Sequence, residues 1–163
     1  MSAPAGSPAL VEEFAQLVGT VTESIRGKAL NQELENDLNH RFASGGATYQ
    51  AILNSCERAI AAGWMCNREA GGIKYGRVIK QGPATHGFSV DVVDMPPIAG
   101  PHHAHPNGEI DLIMPLEDGA RFDGRGAGWL VYGPGSAHSP TVTGGRALIL
   151  YLLPGGAIEF SRA

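Results

Sequence analysis

The apolar positions of this chain change their period once, near Gly63. Before it, Leu10, Phe14, Leu17, Val18 and Val21 recur every three or four residues. Leu34, Leu38 and Phe42 do the same, as do Tyr49, Ile52, Leu53, Cys56 and Ile60. Such stripes press one face of a helix against an apolar partner, so three short amphipathic helices are predicted within residues 7–62. Ser7-Pro8 offers an N-cap followed by proline at the first helical position. The second helix runs from about Asn31 to Phe42 and is broken by "SGG" at 44–46. The third begins at Thr48 and ends at Gly63, where glycine suits a left-handed C-cap. Residues 1–6 lack any pattern and are expected to fray.

After Gly63 the period is two. "IKYGRVI" (73–79) and "HGFSVDVVDM" (86–95) alternate, and "GEIDLIMPL" (108–116), "GWLVYGPG" (128–135) and "RALILYLL" (146–153) add three short runs. Turn residues bound each run, which predicts a β-sandwich or barrel. The expected organisation is a helical segment (1–63), packed on the barrel or on a partner, and a β-barrel (64–163).

Composition changes this picture little. Most of the 23 glycines and 11 prolines lie after residue 63, as a turn-rich β fold requires. A net charge of −4 with no Lys/Arg cluster argues against nucleic acid and against an anionic membrane surface. No apolar run reaches the roughly 18 residues that span a bilayer. "MSAPAGSPAL" lacks the basic start and apolar core of a secretory signal, so a cytoplasmic location is expected. Two cysteines, Cys56 and Cys66, are too few for a disulfide framework and read as reduced structural thiols. No histidine neighbours either one in sequence, so nothing supports a thiol nucleophile.

The chemistry concentrates in "GPHHAHPNGEIDLI" (100–113), which holds three of the six histidines. In an extended segment residues i and i+2 share a face. His103 and His105 therefore reach one ion together, while His102 points away. Past the "PNG" turn, Glu109 opens a strand and Asp111 shares its face; Ile110, Leu112 and Met114 form the other, apolar face. That arrangement suits a barrel with a polar lumen and an outside packed on helices or a partner. "GPGSAHSP" (133–140) supplies a downstream turn presenting His138. Three imidazoles and a carboxylate suit one divalent transition ion, Fe, Mn, Co, Ni, Cu or Zn, rather than Ca or Mg. "GRGAG" (124–128) lacks the strand–loop–helix setting of a phosphate loop and is read as a turn.

H-x-H-x3-E followed by G-x-x-H resembles the two motifs of the cupin family. That resemblance implies a double-stranded β-helix (jelly-roll) barrel, with His103, His105, Glu109 and His138 as metal ligands. Two positions depart from the family pattern, Gly133 for its proline and Val142 for its asparagine, and neither is a ligand. "YGRVIK", "GFSVDVVDM", "GPHHAHPNGEIDL", "FDGRGAGW", "GSAHSPTV" and "LYLLPGGAIEF" together resemble the 4-hydroxylaminobenzoate lyases. This implies hydrolytic conversion of 4-hydroxylaminobenzoate to protocatechuate and ammonia, with the ion as Lewis acid.

An acid–base group is needed beside the ion, and Asp111 and His102 are the candidates. Asp111 has an alternative role, orienting a ligand histidine. Tyr132 and Tyr151 are candidate hydrogen-bond donors to substrate. A benzoate carboxylate calls for an arginine fork, with Arg77 first and Arg125 and Arg146 behind it. A homodimer is expected, because a barrel with apolar outer strands needs cover. The rival readings are another metal-cupin enzyme, such as an iron dioxygenase or an isomerase on a small aromatic or sugar acid, and a non-catalytic binding cupin with a structural ion.

Overall fold

The computed structural model describes residues 8–161. The expected Ser7 cap and the stretch 1–6 expected to fray lie outside the described residues. Helices α1 (Pro8–Ser24), α2 (Gln32–Arg41) and α3 (Ala47–Ala62) occupy the three stripes. Asn31 caps α2: its backbone is extended and its side chain accepts from the Leu34 N–H at 3.0 Å. Acids in the first turn of α2 and His40 and Arg41 in its last turn both favour the helix dipole. Gly63 ends α3 in the left-handed conformation, with φ of 88°.

The chain then runs through β1 (Arg68–Ala70), β2 (Ile73–Ile79), β3 (Phe88–Met95), β4 (Ile98–Ala99), β5 (His103–His105) and β6 (Glu109–Pro115). It continues through β7 (Arg121–Phe122), β8 (Gly128–Tyr132), β9 (Ser136–His138), β10 (Thr141–Thr143), β11 (Ala147–Pro154) and β12 (Glu159–Phe160). The long strands β2, β3, β6, β8 and β11 match the five predicted runs. The others are two or three residues long, too short to show a period. The run predicted from His86 starts later, at Phe88, because Pro83–Thr85 close a 3-10 turn capped by left-handed His86.

All pairings between strands are antiparallel. One wall is a six-stranded sheet in the order β1-β2-β3-β11-β6-β8; the other is made of two three-stranded sheets, β4-β10-β7 and β12-β5-β9. This is the expected cupin jelly-roll. The central strands of the large sheet, β3, β11 and β6, are buried on both faces, while β1 and β2 are largely exposed. The sheet's outer side chains, including Val92, Leu112, Met114 and Leu150, pack with Phe14, Leu38 and Ile52 of the helices. Its inner side chains, including Val93, Ile113 and Ile149, pack with Phe122 and Val142 across the lumen. The outward side chains of β3, β6 and β11 are thus covered by the chain's own helices. Among the described residues no helix is long and apolar enough to cross a membrane.

Strand β8 is an edge of the large sheet, so its outward backbone groups need partners. Helix α2 supplies them from side chains. Asn39 donates to the Trp129 carbonyl at 2.9 Å and accepts from the Trp129 N–H at 2.8 Å, mimicking a strand. Glu35 accepts from the Val131 N–H at 2.9 Å and from Arg125 at 2.8 Å. Gly128 makes room for this, since a Cβ there would stand 2.8 Å from the Asn39 amide oxygen.

These contacts generate two predictions. Asn39→Ala strands both Trp129 backbone groups and is expected to cost about 2 kcal/mol, read by urea or thermal unfolding. At Glu35, burial raises the carboxyl pKa, but Arg125, the Val131 N–H and Gln32 outweigh it and leave the value below the ordinary 4.5. A depressed carboxyl pKa stabilises the fold above the unfolded value and loses that contribution as pH falls through the folded one. The melting temperature of Glu35→Gln should therefore lie below that of the wild type at pH 7, with the gap narrowing below about pH 4.5.

Candidate metal centre

Strand β5 carries His103 and His105 on one face, as their i, i+2 spacing dictates. Strand β9 pairs with it so that His138 stands opposite His103 and Ser136 opposite His105. Between β5 and β6 the chain turns through Pro106–Gly108, with the Gly108 N–H donating to the His105 carbonyl at 3.1 Å. Gly108 has φ of 87°, and a Cβ there would meet the Tyr132 carbonyl at 2.7 Å, so the turn requires glycine. This tight return delivers Glu109, the first residue of β6, into the lumen beside the histidines.

The ligand atoms of His103, His105, Glu109 and His138 all lie within 4.8 Å of one another. Glu109 Oε1 is 3.4 Å from His103 Nε2 and 3.2 Å from His105 Nε2, and Glu109 Oε2 is 3.5 Å from His138 Nε2. His103 Nε2 and His138 Nε2 are 3.1 Å apart. Donors held roughly 2.1 Å from a common ion are spaced about 3.0–3.4 Å apart in octahedral or tetrahedral geometry, so the cluster fits one. Both Glu109 oxygens and His105 Nε2 are buried with no hydrogen-bond partner. Orphaned buried groups of this kind are costly unless a cation meets them. The donor set suits a transition ion rather than calcium or magnesium.

The electrostatics separate the two lumen acids. Burial works against charge on Glu109, but the three imidazoles facing it outweigh burial and hold its carboxyl well below the usual range. Asp111 is wholly buried, faces the charge of Glu109, and is pushed well above its usual range. Both Asp111 oxygens lack a partner. Burial also raises the Tyr151 phenol.

The other predicted residues divide between the lumen and the surface. An open cavity of about 820 Å³ lies over β2 and β3 and is bordered by His103, Tyr151, Arg77, Asp91, Tyr75 and Phe160, among others. Arg77 donates from Nε to Asp91 at 2.9 Å and from Nη2 at 3.2 Å, so Asp91 occupies the edge of the fork expected to bind substrate. Tyr132 stacks near His105 and His138, but its hydroxyl donates to Asp123 and it does not border the cavity. Arg125 is turned to Glu35 on α2 and Arg146 to Asp94, at 2.8 and 2.6 Å, and neither borders the cavity. His102 is exposed and paired with Ser161 at 2.6 Å, away from the cluster because its parity is opposite to that of His103. Cys56 and Cys66 are buried free thiols, with burial pushing Cys66 up to about 12.

Sequence reasoning missed Asp123 and Ser136. Asp123 Oδ2 lies 2.6 Å from His138 Nδ1, and Ser136 Oγ 3.0 Å from His105 Nδ1. Asp123 stands in "FDGRGAGW", where Asp-Gly signals only a turn; Ser136 shares the parity of His138, a signal that was available.

The family model for 4-hydroxylaminobenzoate lyase (PnbB) matches residues 16–160 of this chain. A 4-hydroxylaminobenzoate lyase of Pseudomonas putida is 31% identical over 153 residues, covering 83% of this chain and 87% of the relative. One from Nocardioides sp. (strain LMS-CY) is 31% identical over 145 residues, covering 83% and 86%. Among solved structures, an RmlC-like cupin protein of Ralstonia eutropha aligns over 57% of this chain and 62% of its own, at 13% identity and a TM-score of 0.43.

The raised carboxyl of Asp111 generates a prediction with a defined sign. A carboxyl whose folded pKa exceeds its unfolded value binds more protons when folded, so stability falls as pH rises through that interval. In the presence of a chelator, Asp111→Asn should melt above the wild type at pH 7, with the gap closing toward pH 4.

Proposed function

Because the chain belongs to the 4-hydroxylaminobenzoate lyase family, we propose that it is a metal-dependent cupin lyase converting 4-hydroxylaminobenzoate and water to protocatechuate and ammonia. The conversion is redox-neutral: the N–O bond breaks and its oxygen leaves as water, one water adds to the ring carbon beside the nitrogen, and a second hydrolyses the imine-like C–N bond and releases ammonia, for a net uptake of one water. The cavity wall carries this reading beyond the family name. Three cationic side chains, Arg68, Arg77 and Lys80, border it against one carboxylate, Asp91, on a protein of net charge −4. Much of the rest is apolar, including Trp64, Tyr75 and Phe160. A cationic mouth with aromatic walls suits an aromatic acid.

In this reading His103, His105, Glu109 and His138 would hold the ion, which would supply Lewis acidity when bound. Asp91 holds the Nε and Nη2 edge of Arg77, and Nη1 remains to meet the substrate carboxylate. Tyr151 borders the cavity on the strand next to Asp111 and opposite it in register, so it lies between the carboxylate clamp and the cluster. Its phenol stays protonated and serves as a donor. Asp111 keeps a proton on its buried carboxyl and is our acid for the departing oxygen.

Anaerobic incubation with 4-hydroxylaminobenzoate should yield ammonia and protocatechuate in equal amounts, lost on chelation and restored by divalent metal. An oxygen requirement would move the assignment to a dioxygenase. Glu109→Gln should lose both the ion, by elemental analysis, and turnover; turnover surviving with only a lower melting temperature would make the ion structural. Arg77→Ala should raise KM by roughly 10- to 100-fold, the worth of one charge-assisted hydrogen bond, and leave kcat within a few-fold.

A further inference from the structure

The three imidazoles of the cluster are supported differently at their outer nitrogens. His103 Nδ1 is buried without a partner. His105 Nδ1 meets a neutral hydroxyl, Ser136 Oγ. His138 Nδ1 alone meets a carboxylate, Asp123, at 2.6 Å. That carboxylate is locked from several sides. Its Oδ1 accepts from the Thr141 N–H at 2.9 Å, its Oδ2 also accepts from the Tyr132 hydroxyl, and its own N–H donates to the Thr141 carbonyl at 2.8 Å. Asp123 holds a left-handed backbone, φ 51°, a conformation Asp adopts more readily than most non-glycine residues.

We propose that Asp123 is a positioning residue that fixes His138 in the Nδ1–H tautomer, so that the Nε2 lone pair faces Glu109 and His103, and thereby sets the affinity of the centre for its ion. The inference rests on the metal reading of the cluster. An ionised carboxylate only accepts, so it requires the single proton of a neutral imidazole at Nδ1. Nε2, the atom 3.1 Å from His103 Nε2 and 3.5 Å from Glu109, is left as the donor to an ion. The carboxylate also makes that nitrogen more basic, a support that His103 and His105 lack. Tyr132 then acts on Asp123 rather than on substrate.

The test uses the full chain with zinc alone as probe. Asp123→Asn should weaken zinc binding by roughly 10- to 100-fold in competition with a chromophoric chelator, and Ser136→Ala by less. Nitrogen-15 spectra of the metal-free protein, taken at alkaline pH where the imidazoles are neutral, should show His138 as Nδ1–H in the wild type and in Tyr132→Phe, and as a tautomer mixture in Asp123→Asn. Unchanged zinc affinity with Nδ1–H retained in Asp123→Asn overturns the proposal. So does an Nε2–H tautomer in the wild type, a result that stands even if the variant fails to fold. A wild type that binds no zinc overturns the metal reading instead, and the tautomer spectra still decide the role of Asp123.

Discussion

The structure depends on the placement of one carboxylate. Glu109 is fully buried, both its oxygens lack hydrogen-bond partners, and three imidazoles surround it within 3.5 Å. A lone charge in such a place is prohibitively costly, so its neighbours must compensate it. Compensation here requires strands far apart in sequence to meet with fixed register. β5 must face β9 so that His138 opposes His103, and the Pro106–Gly108 turn must bring β6 back within reach. Each of these local features serves the same point in the lumen.

The helices make that lumen possible. Strand β6 alternates Glu109 and Asp111 inward with Ile110, Leu112 and Met114 outward, and all five are buried. An antiparallel sheet commonly leaves one face to water. Here the inward face takes the polar groups, so the outward face carries the apolar load and α1–α3 cover it. The same helices finish the sheet edge, where Asn39 and Glu35 stand in for a neighbouring strand. Stability of the barrel and geometry of the centre are thereby linked through β6 and β8, adjacent strands of one sheet.

The register also aligns chemistry across the large sheet. Arg77, Asp91, Tyr151 and Asp111 are successive partners on β2, β3, β11 and β6. A substrate anchored at Arg77 would therefore lie along a row of polar side chains leading to the cluster. Arg125 and Arg146 stand outside this row, spent on Glu35 and Asp94.

Local periodicity determined the three helices, the five long strands and the shared face of His103 and His105, because these follow from spacings of two to four residues within one element. The motif also pointed to Glu109 and His138 as members of one cluster. The short strands escaped, since two or three residues carry no period. Asp123, the edge caps Asn39 and Glu35, and the pairing of one edge of the Arg77 fork with Asp91 were decided by tertiary structure alone. Each arises from a partner on a different element: Trp129 for Asn39, 90 residues away, and His138 for Asp123, 15 residues away across the β7–β10 pairing. Sequence spacing specifies which side chains share a face; the register of non-local strands specifies which faces meet, and hence which acids and bases share a hydrogen bond.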